Sequence, residues 1–375
     1  MKKGFTLIEL LAVIVILAII ALIATPIVLD IIEDSKDSSI KRSIELYGNA
    51  VENAVAKEQL NGSTVPSGKY MTTDGKTLTQ GKTTIKIDYN GAKTVCEVYI
   101  SNEGTVSLKK CNVSDKDVEY TYGNKIYENG EVVYFDVKTG KTCDNYTEEN
   151  SNTGYNGIVE TEKQNSCLKF YAFNDFGSDK LNLILDHNTT AVVAWNSSGS
   201  NTSGPNEVLE QLKSDTSSWK GTITPSNYTM DQSTQGSKAN YTIDYSSYKA
   251  RLITAQEIAQ ITGNTTWDER TASSSYYFDS KTTTESDTCT EGNTIGCKYG
   301  WLYDRTNTSC TTYGCSNNSD VETYGYWSAS SSSIADDAYR AWYVAYDGSV
   351  YDSNVDFSDL YGIRPVIAIS KSKLS

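Results

Sequence analysis

The sequence predicts an α+β protein in which one long N-terminal helix packs on a small antiparallel β head and a larger α+β domain follows. Three observations carry this. Phe5 to Leu29 is apolar on every face, and an amphipathic stripe continues it to Leu60. Alternating apolar and polar segments separated by turn residues follow between Thr84 and Leu108. From 116 to 375, short strand patterns mix with two helical segments and Ser/Asn/Gly-rich loops, as in a compact domain of both element types.

The first element sets the character of the chain. Between Lys3 and Asp30 the only ionisable side chain is Glu9, and the run exceeds the about 20 apolar residues that a helix needs to cross a bilayer. Buried core helices are seldom apolar on all faces over such a length, and the mean hydropathy of the whole chain is only -0.44, so the run reads as a membrane segment. Lys2 and Lys3 mark its amino end as cytoplasmic. No small-residue cleavage site follows Leu22 to Leu29, so the apolar part is expected to stay on the mature protein. A carboxylate in hydrocarbon is costly unless paired or protonated, which makes Glu9 a functional residue in need of a partner; snorkelling to the interface is the alternative. Pro26 lacks an N–H and clashes with the preceding turn, so a kink or local melting is expected around Leu22.

Lys3-Gly4-Phe5-Thr6-Leu7-Ile8-Glu9, followed by the unbroken apolar run with Pro26 inside it, resembles the leader junction and N-terminal helix of the type IV pilins and pseudopilins. The resemblance implies a leader over 1–4, cleavage after Gly4 by a prepilin peptidase, N-methylation of the new terminus at Phe5, and an assembly helix over 5–60. Cleavage would place an α-amino group at Phe5, and Glu9 of a neighbouring subunit would pair with it. Other pilin subunits are therefore expected partners. The expected location is the cell membrane as a single-pass precursor and then the cell surface as an extracellular pilus.

After Asp30 the pattern turns amphipathic. Ile40, Ile44, Tyr47, Val51 and Val55 recur at steps of four and three, one stripe of a helix, and Asn61-Gly62 supplies its stop. Phe5 to Leu60 as one helix would be roughly 84 Å long at 1.5 Å per residue. A small β head is expected over 61–115, with strands at Thr84 to Tyr89, Val95 to Ile100 and Gly104 to Leu108 laid on the helix stripe. Asp115 to Glu119 reads as a linker. A hairpin is expected next, Tyr120 to Tyr127 with Val132 to Val137, turning at Glu128-Asn129-Gly130, then strands at Leu181 to Leu185 and Ala191 to Trp195. Helices are expected over Asn206 to Ser214 and after Thr254, where Thr254-Ala255-Gln256-Glu257 forms a capping box and Gly263 a stop.

A net charge of -14 and a pI near 4.7 exclude wholesale electrostatic binding to nucleic acid and favour solubility outside the cell. Tyr outnumbers Phe 27 to 7, a composition of secreted β-rich proteins. All eight cysteines lie beyond the membrane segment, and an even count in an exported chain points to disulfides. Sequential pairing is the simplest connectivity: Cys96 with Cys111, Cys143 with Cys167, Cys289 with Cys297, Cys310 with Cys315. Zinc held by the last four is the rival reading, disfavoured because they contain no tight C-x2-C pair.

Gly325-Tyr326-Trp327-Ser328-Ala329-Ser330, Ala341-Trp342-Tyr343-Val344, Gly362-Ile363-Arg364-Pro365 and Ala250-Arg251-Leu252-Ile253-Thr254 resemble the bacterial C-type-lectin-like fold of formylglycine-generating-enzyme-like domains. The resemblance implies a C-type-lectin-like extracellular domain over 116–375, with Arg364 and the buried tryptophans structural. Trp327 and Trp342, inside alternating strands, are expected in the core; Trp267 and Trp301, beside polar loops, are the candidates for stacking on a glycan or protein ligand. Asp336, Asp337, Asp347, Asp352, Asp356 and Asp359 crowd the last loops; they lack EF-type spacing, so Ca²⁺ is a formal option beside a solvated acidic surface, and no cofactor is expected. His187 is the only histidine, and a nucleophilic pair with Cys167 would need a free thiolate in an oxidising compartment. No hydrolase, zinc-protease or phosphate-binding motif occurs, so the chain is not expected to be an enzyme. The expected function is a type IV pilin-like subunit, minor or at the tip, displaying a large adhesive head; the alternative is a pseudopilin of a secretion or DNA-uptake system.

Overall fold

The computed structural model describes residues 7–143, 166–189, 192–279, 289, 297–303, 324–334 and 338–374. The chain divides into two compact units, Met1–Lys125 and Ile126–Ser375.

The first unit opens with α1, Leu7–Leu60, an unbroken helix of 54 residues. Ile44, Tyr47, Val51 and Val55 form its buried stripe, each no more than 1% exposed. The helix stops at a Schellman-type turn: Gly62 takes φ +78°, and the Ser63 amide donates to the Glu58 carbonyl at 3.0 Å. Against the stripe lies a four-stranded antiparallel sheet of β1 (Gly68–Tyr70), β4 (Thr94–Ile100), β5 (Val106–Val113) and β6 (Lys116–Val118), in the order β1-β4-β5-β6. A two-stranded ribbon, β2 (Thr77–Gln80) and β3 (Thr83–Lys86), completes the shell. Tyr70, Leu78, Ile85, Val98, Ile100, Val106 and Leu108 meet the helix stripe in one core. Each such side chain stabilises the unit by about 1.5–3 kcal/mol, which is set against the entropy of ordering the chain.

Two expectations about the end of this unit need correction. Asp115 to Glu119 is no linker: Ser114 and Asp115 both take positive φ, 49° and 67°, and form a tight turn that pairs Val113 with Lys116. The expected hairpin of Tyr120 to Tyr127 with Val132 to Val137 does not form. Tyr122 instead bridges to Leu108, its ring covers Gly48 of α1, and its hydroxyl donates to Asn49 Oδ1 at 2.9 Å.

The second unit has two five-stranded sheets. The first contains β7 (Val132–Asp136), β8 (Lys141–Thr142), β9 (Cys167–Phe173), β10 (Lys180–Leu185) and β18 (Val366–Ser370), antiparallel in the order β18-β10-β9-β7-β8. The second contains β13 (Tyr276–Tyr277), β14 (Gly325–Ser331), β15 (Arg340–Ala345), β16 (Ser349–Asn354) and β17 (Tyr361–Gly362), ordered β13-β16-β15-β14-β17, with only the β14–β17 pair parallel. A ribbon of β11 (Asn227–Asp231) and β12 (Asn240–Asp244) pairs with neither sheet but packs on the second through Tyr241, whose hydroxyl donates to the Ala329 carbonyl. Of the expected strand Ala191 to Trp195, residues 190 and 191 lie outside the described residues and 192–195 form no strand.

Helices α2 (Glu207–Asp215), α3 (Ala255–Thr262) and the single turn α4 (Gly300–Tyr303) bury apolar faces against this framework. The capping box of α3 is complete: Thr254 Oγ1 accepts from the Glu257 amide, Glu257 Oε2 accepts from the Thr254 amide, and Gly263 closes the helix at φ +78°. Arg251 donates to both Glu257 oxygens at 2.7 Å, fixing the same turn. Two apolar clusters form the interior. One gathers Phe135, Phe170, Trp195, Trp219 and Trp327; the other gathers Phe173, Ile258, Tyr303, Tyr326 and Trp342.

Candidate functional site

The two halves of α1 differ in what surrounds them. Leu10, Leu11, Val13, Ile14, Val15, Ile16, Leu17, Ile19 and Ile20 are all 48–58% exposed, on every face of the helix. Among the described residues no element buries them, and a contiguous exposed apolar patch of this extent marks an association surface. Among the described residues no helix is long and apolar enough to cross a membrane. Over the full sequence, Leu7 to Ala24 carries one ionisable residue, Glu9.

Gly4 and Phe5 lie outside the described residues, as do the side chains of Glu9 and Pro26. The backbone of α1 remains helical through Pro26, so the expected local melting near Leu22 is absent. Proline deletes one hydrogen bond of the ladder, and the intact turns on either side keep the helix formed.

Disulfides hold the chain beyond the helix. Cys96 on β4 and Cys111 on β5 are joined with a Cα separation of 4.1 Å, where a register shift between Val95 and Glu97 brings them face to face. Cys143 is joined to Cys167 across the β8–β9 end of the first sheet of the second unit, and Cys289 to Cys297 in a short loop. Cys310 and Cys315 lie outside the described residues. Asp279 converges with Cys289 and Cys297 in the manner of a metal site. The residues do not fit one, because both sulfurs are spent in the disulfide, and Asp279 accepts from the Lys298 and Tyr299 amides and the Tyr303 hydroxyl.

The expected ligand-binding tryptophans are placed differently from each other. Trp267 is buried, its indole donating to the Ser274 carbonyl and its ring 5.0 Å from that of Trp342; the expectation of a surface position is corrected by this packing. Trp301 is half-buried, 5.5 Å from the Tyr171 ring and over the turn at Gly130. Trp327 and Trp342 are fully buried, with indoles donating to the Val193 and Glu269 carbonyls.

Buried polar groups are paired in a structural pattern. The Arg364 guanidinium donates to the carbonyls of Leu185, Asp186, Trp301 and Leu302, tying β10 to α4. Glu269, missed by the sequence reading, accepts from the Tyr228 hydroxyl, the Gln256 amide and the Ser330 hydroxyl. Burial pushes its carboxyl above the ordinary range against those three donors. The serine-rich run of β14 is the signal that could have found this network, since buried serines require acceptors. His187 is fully buried, its Nδ1 3.9 Å from Asp186 Oδ2, and Cys167 is in a disulfide, which leaves no Cys-His pair. Of the acidic loop residues, Asp352 is committed to Arg340 at 3.2 Å and to Ser332; Asp336 and Asp337 lie outside the described residues.

No curated protein and no solved structure matches the chain, so neither comparison supports the C-type-lectin-like resemblance of the second unit. Residues 1–25 match the family model of the prokaryotic N-terminal methylation motif, which supports a type IV pilin-like leader at the head of α1.

Proposed function

We propose that the chain is a type IV pilin-like precursor that is cut after Gly4, N-methylated at Phe5, and assembled with other pilin subunits through α1. The observation that carries the reading is the all-round exposure of the apolar half of α1, continuous with the matched methylation motif. Before assembly that half rests in the membrane as a single-pass anchor; after assembly the same side chains are covered by neighbouring helices. Glu9 pairs with the α-amino group of a neighbouring Phe5, offsetting the cost of a carboxylate in an apolar layer. The disulfides suit an oxidising exterior, where the larger second unit is displayed as the adhesive head of a minor or tip subunit.

Expression with a prepilin peptidase tests this. The wild-type chain is expected to lose four residues and to enter surface filaments. Gly4→Val is expected to stop cleavage, and Glu9→Leu to insert and be cleaved yet fail to assemble efficiently. Cleavage and filaments unchanged in Gly4→Val would overturn the reading. Cleavage of the wild type without surface filaments would favour a pseudopilin.

A further inference from the structure

The ribbon of β11 and β12 is one short sequence written twice. Asn227-Tyr228-Thr229-Met230-Asp231-Gln232-Ser233 and Asn240-Tyr241-Thr242-Ile243-Asp244-Tyr245-Ser246 agree at five of seven positions. The two stretches pair antiparallel with each other, Asn227 opposite Asp244, Thr229 opposite Thr242 and Asp231 opposite Asn240. A local two-fold axis therefore passes between the two threonines, whose hydroxyl oxygens are 3.0 Å apart. The carboxylates repeat one contact, Asp231 accepting from the Ser233 amide at 3.0 Å and Asp244 from the Ser246 amide at 2.9 Å. Met230, Tyr241 and Ile243 are buried, while Asn227, Thr229, Asp231, Asn240, Thr242 and Asp244 are all exposed.

One edge of this ribbon is engaged and the other is open. On the β11 side Arg270 donates to the Thr229 carbonyl, and Gln232 Nε2 donates to the carbonyls of Glu269 and Ser331. Backbone bonds from Gln232 to Ala239 and from Tyr245 to Ser226 fix the phase of the ladder. Amides and carbonyls then point into the ribbon at Tyr241 and Ile243 and out of it at Asn240, Thr242 and Asp244. Among the described residues no strand pairs with that outer side of β12, and no hydrogen bond reaches the Thr242 amide or carbonyl. β12 also lacks what usually blunts an exposed edge: it has no proline, no lysine and no bulge.

The pairing of β11 with β12 is already a case of this sequence recognising a copy of itself. Repeating that register with β12 on both sides sets Thr242 against Thr242, and Asn240 against Asp244 of the second copy. An amide then meets each carboxylate, whereas a register centred on Asp244 would oppose two carboxylates. We propose that the open edge of β12 pairs antiparallel with β12 of a second copy of this chain, about a two-fold axis at Thr242, joining two ribbons into one four-stranded sheet. Such a contact is isologous and closes on itself, so it links second units in pairs. It is separate from assembly through α1 and does not rest on that reading.

Cysteine cross-linking of the full chain in detergent micelles tests this. In the paired sheet the Thr242 Cα lies about 5.5 Å from its copy, within the span of a disulfide. Thr229 is three strand spacings from its copy, roughly 14 Å. Asn240 is displaced from its copy by four residues along the strands, again roughly 14 Å and beyond the reach of a disulfide. Under mild oxidation Thr242→Cys is expected to give a dimer on a non-reducing gel that a thiol reductant removes. Thr229→Cys and Asn240→Cys, at equally exposed sites, are expected to lose that dimer. Thermal midpoints equal to that of the wild type establish that each variant is folded. No dimer from Thr242→Cys, or equal dimer from all three variants, would overturn the proposal, the first showing an unpaired edge and the second mere collision within micelles. A dimer from Thr229→Cys or Asn240→Cys in its place would overturn it as well, by revealing the other edge or another register. Normal filaments without the cross-link would refute only the edge pairing, and the cross-link without filaments only the assembly reading.

Discussion

The first and second halves of α1 are the same secondary structure under opposite rules. From Leu10 to Ile20 the helix is apolar on all sides and exposed on all sides. From Ile40 to Val55 it is polar on most of its surface, and the stripe of Ile44, Tyr47, Val51 and Val55 is buried. In the second half tertiary packing supplies the stability that a solvated helix of ordinary residues lacks. In the first half the described residues show no such packing, and the reading proposed above assigns that role to a membrane or to other copies. Helix formation is common to both halves, and what distinguishes them is whether their apolar side chains are covered.

The sharpest way to break this comparison is to place the same charge in each half. Val51 is fully buried, and Val51→Asp is expected to destabilise the first unit by more than about 4 kcal/mol, through lost packing and an unpaired buried carboxylate. Leu17→Asp, at a site 58% exposed, is expected to leave thermal unfolding of the soluble portion unchanged. Its effect should appear in membrane insertion, which an aspartate near the helix centre opposes by about 3 kcal/mol. Equal effects of the two substitutions on unfolding would mean that the halves do not differ as described.

A smaller effect is expected where the sheet that covers the second half is cross-linked. The Cys96–Cys111 bridge closes a loop of sequence separation 15. Its removal by Cys96→Ser with Cys111→Ser is expected to cost about 3 kcal/mol of first-unit stability. Urea unfolding of the oxidised wild type against the double variant measures this, and midpoints that coincide would show that helix packing alone holds the sheet.

What the sequence reveals about these regions depends on how local the cause is. The stripe from Ile44 to Val55 is legible because the helical period repeats within one segment, and the α3 capping box because all its atoms lie within four residues. The β6 edge strand is not, because its turn is made by Ser114 and Asp115 at positive φ without the glycine that usually announces it. Trp267 has polar sequence neighbours, yet Trp342, far along the chain, covers its ring. The packing of Tyr343 on Tyr361 is likewise illegible: strand order β13-β16-β15-β14-β17 brings their strands into one sheet, and no short pattern encodes that order. The apolar half of α1 is legible in composition, while its key side chains, Glu9 and Pro26, lie outside the described residues.

A finer probe concerns how closely the second half of α1 is covered. A Cβ at Gly48 would come 2.5 Å from the Tyr122 ring, so the ring has to move if one is added. Helix propensity favours alanine over glycine by about 1 kcal/mol, and overpacking costs about 1–3 kcal/mol, so Gly48→Ala is expected to destabilise by about 1 kcal/mol on balance. Calorimetry of Gly48→Ala alone and with Tyr122→Ala resolves the two contributions. The second substitution is expected to turn the first from destabilising to stabilising, and a destabilisation that persists without the ring would place the obstruction elsewhere.

The smallest expected effect is electrostatic and lies on the sheet face away from the helix. Burial raises the Glu97 carboxyl, but hydrogen bonds from Lys69 and the Tyr99 hydroxyl, with the charges of Lys69 and Lys110, outweigh it and hold the group below the ordinary glutamate range. A depressed folded-state pKa contributes stability that is present above the unfolded value, about 4.3, and lost as pH falls through the folded value. The partners are partly exposed, so the contribution is expected to be below about 1 kcal/mol and to shrink with salt. Glu97→Gln should therefore lower the unfolding midpoint slightly at pH 7 and converge with the wild type as pH drops below about 4. A difference that grows instead on acidification would mean that Glu97 is neutral in the folded protein and that its amide isostere loses something other than charge.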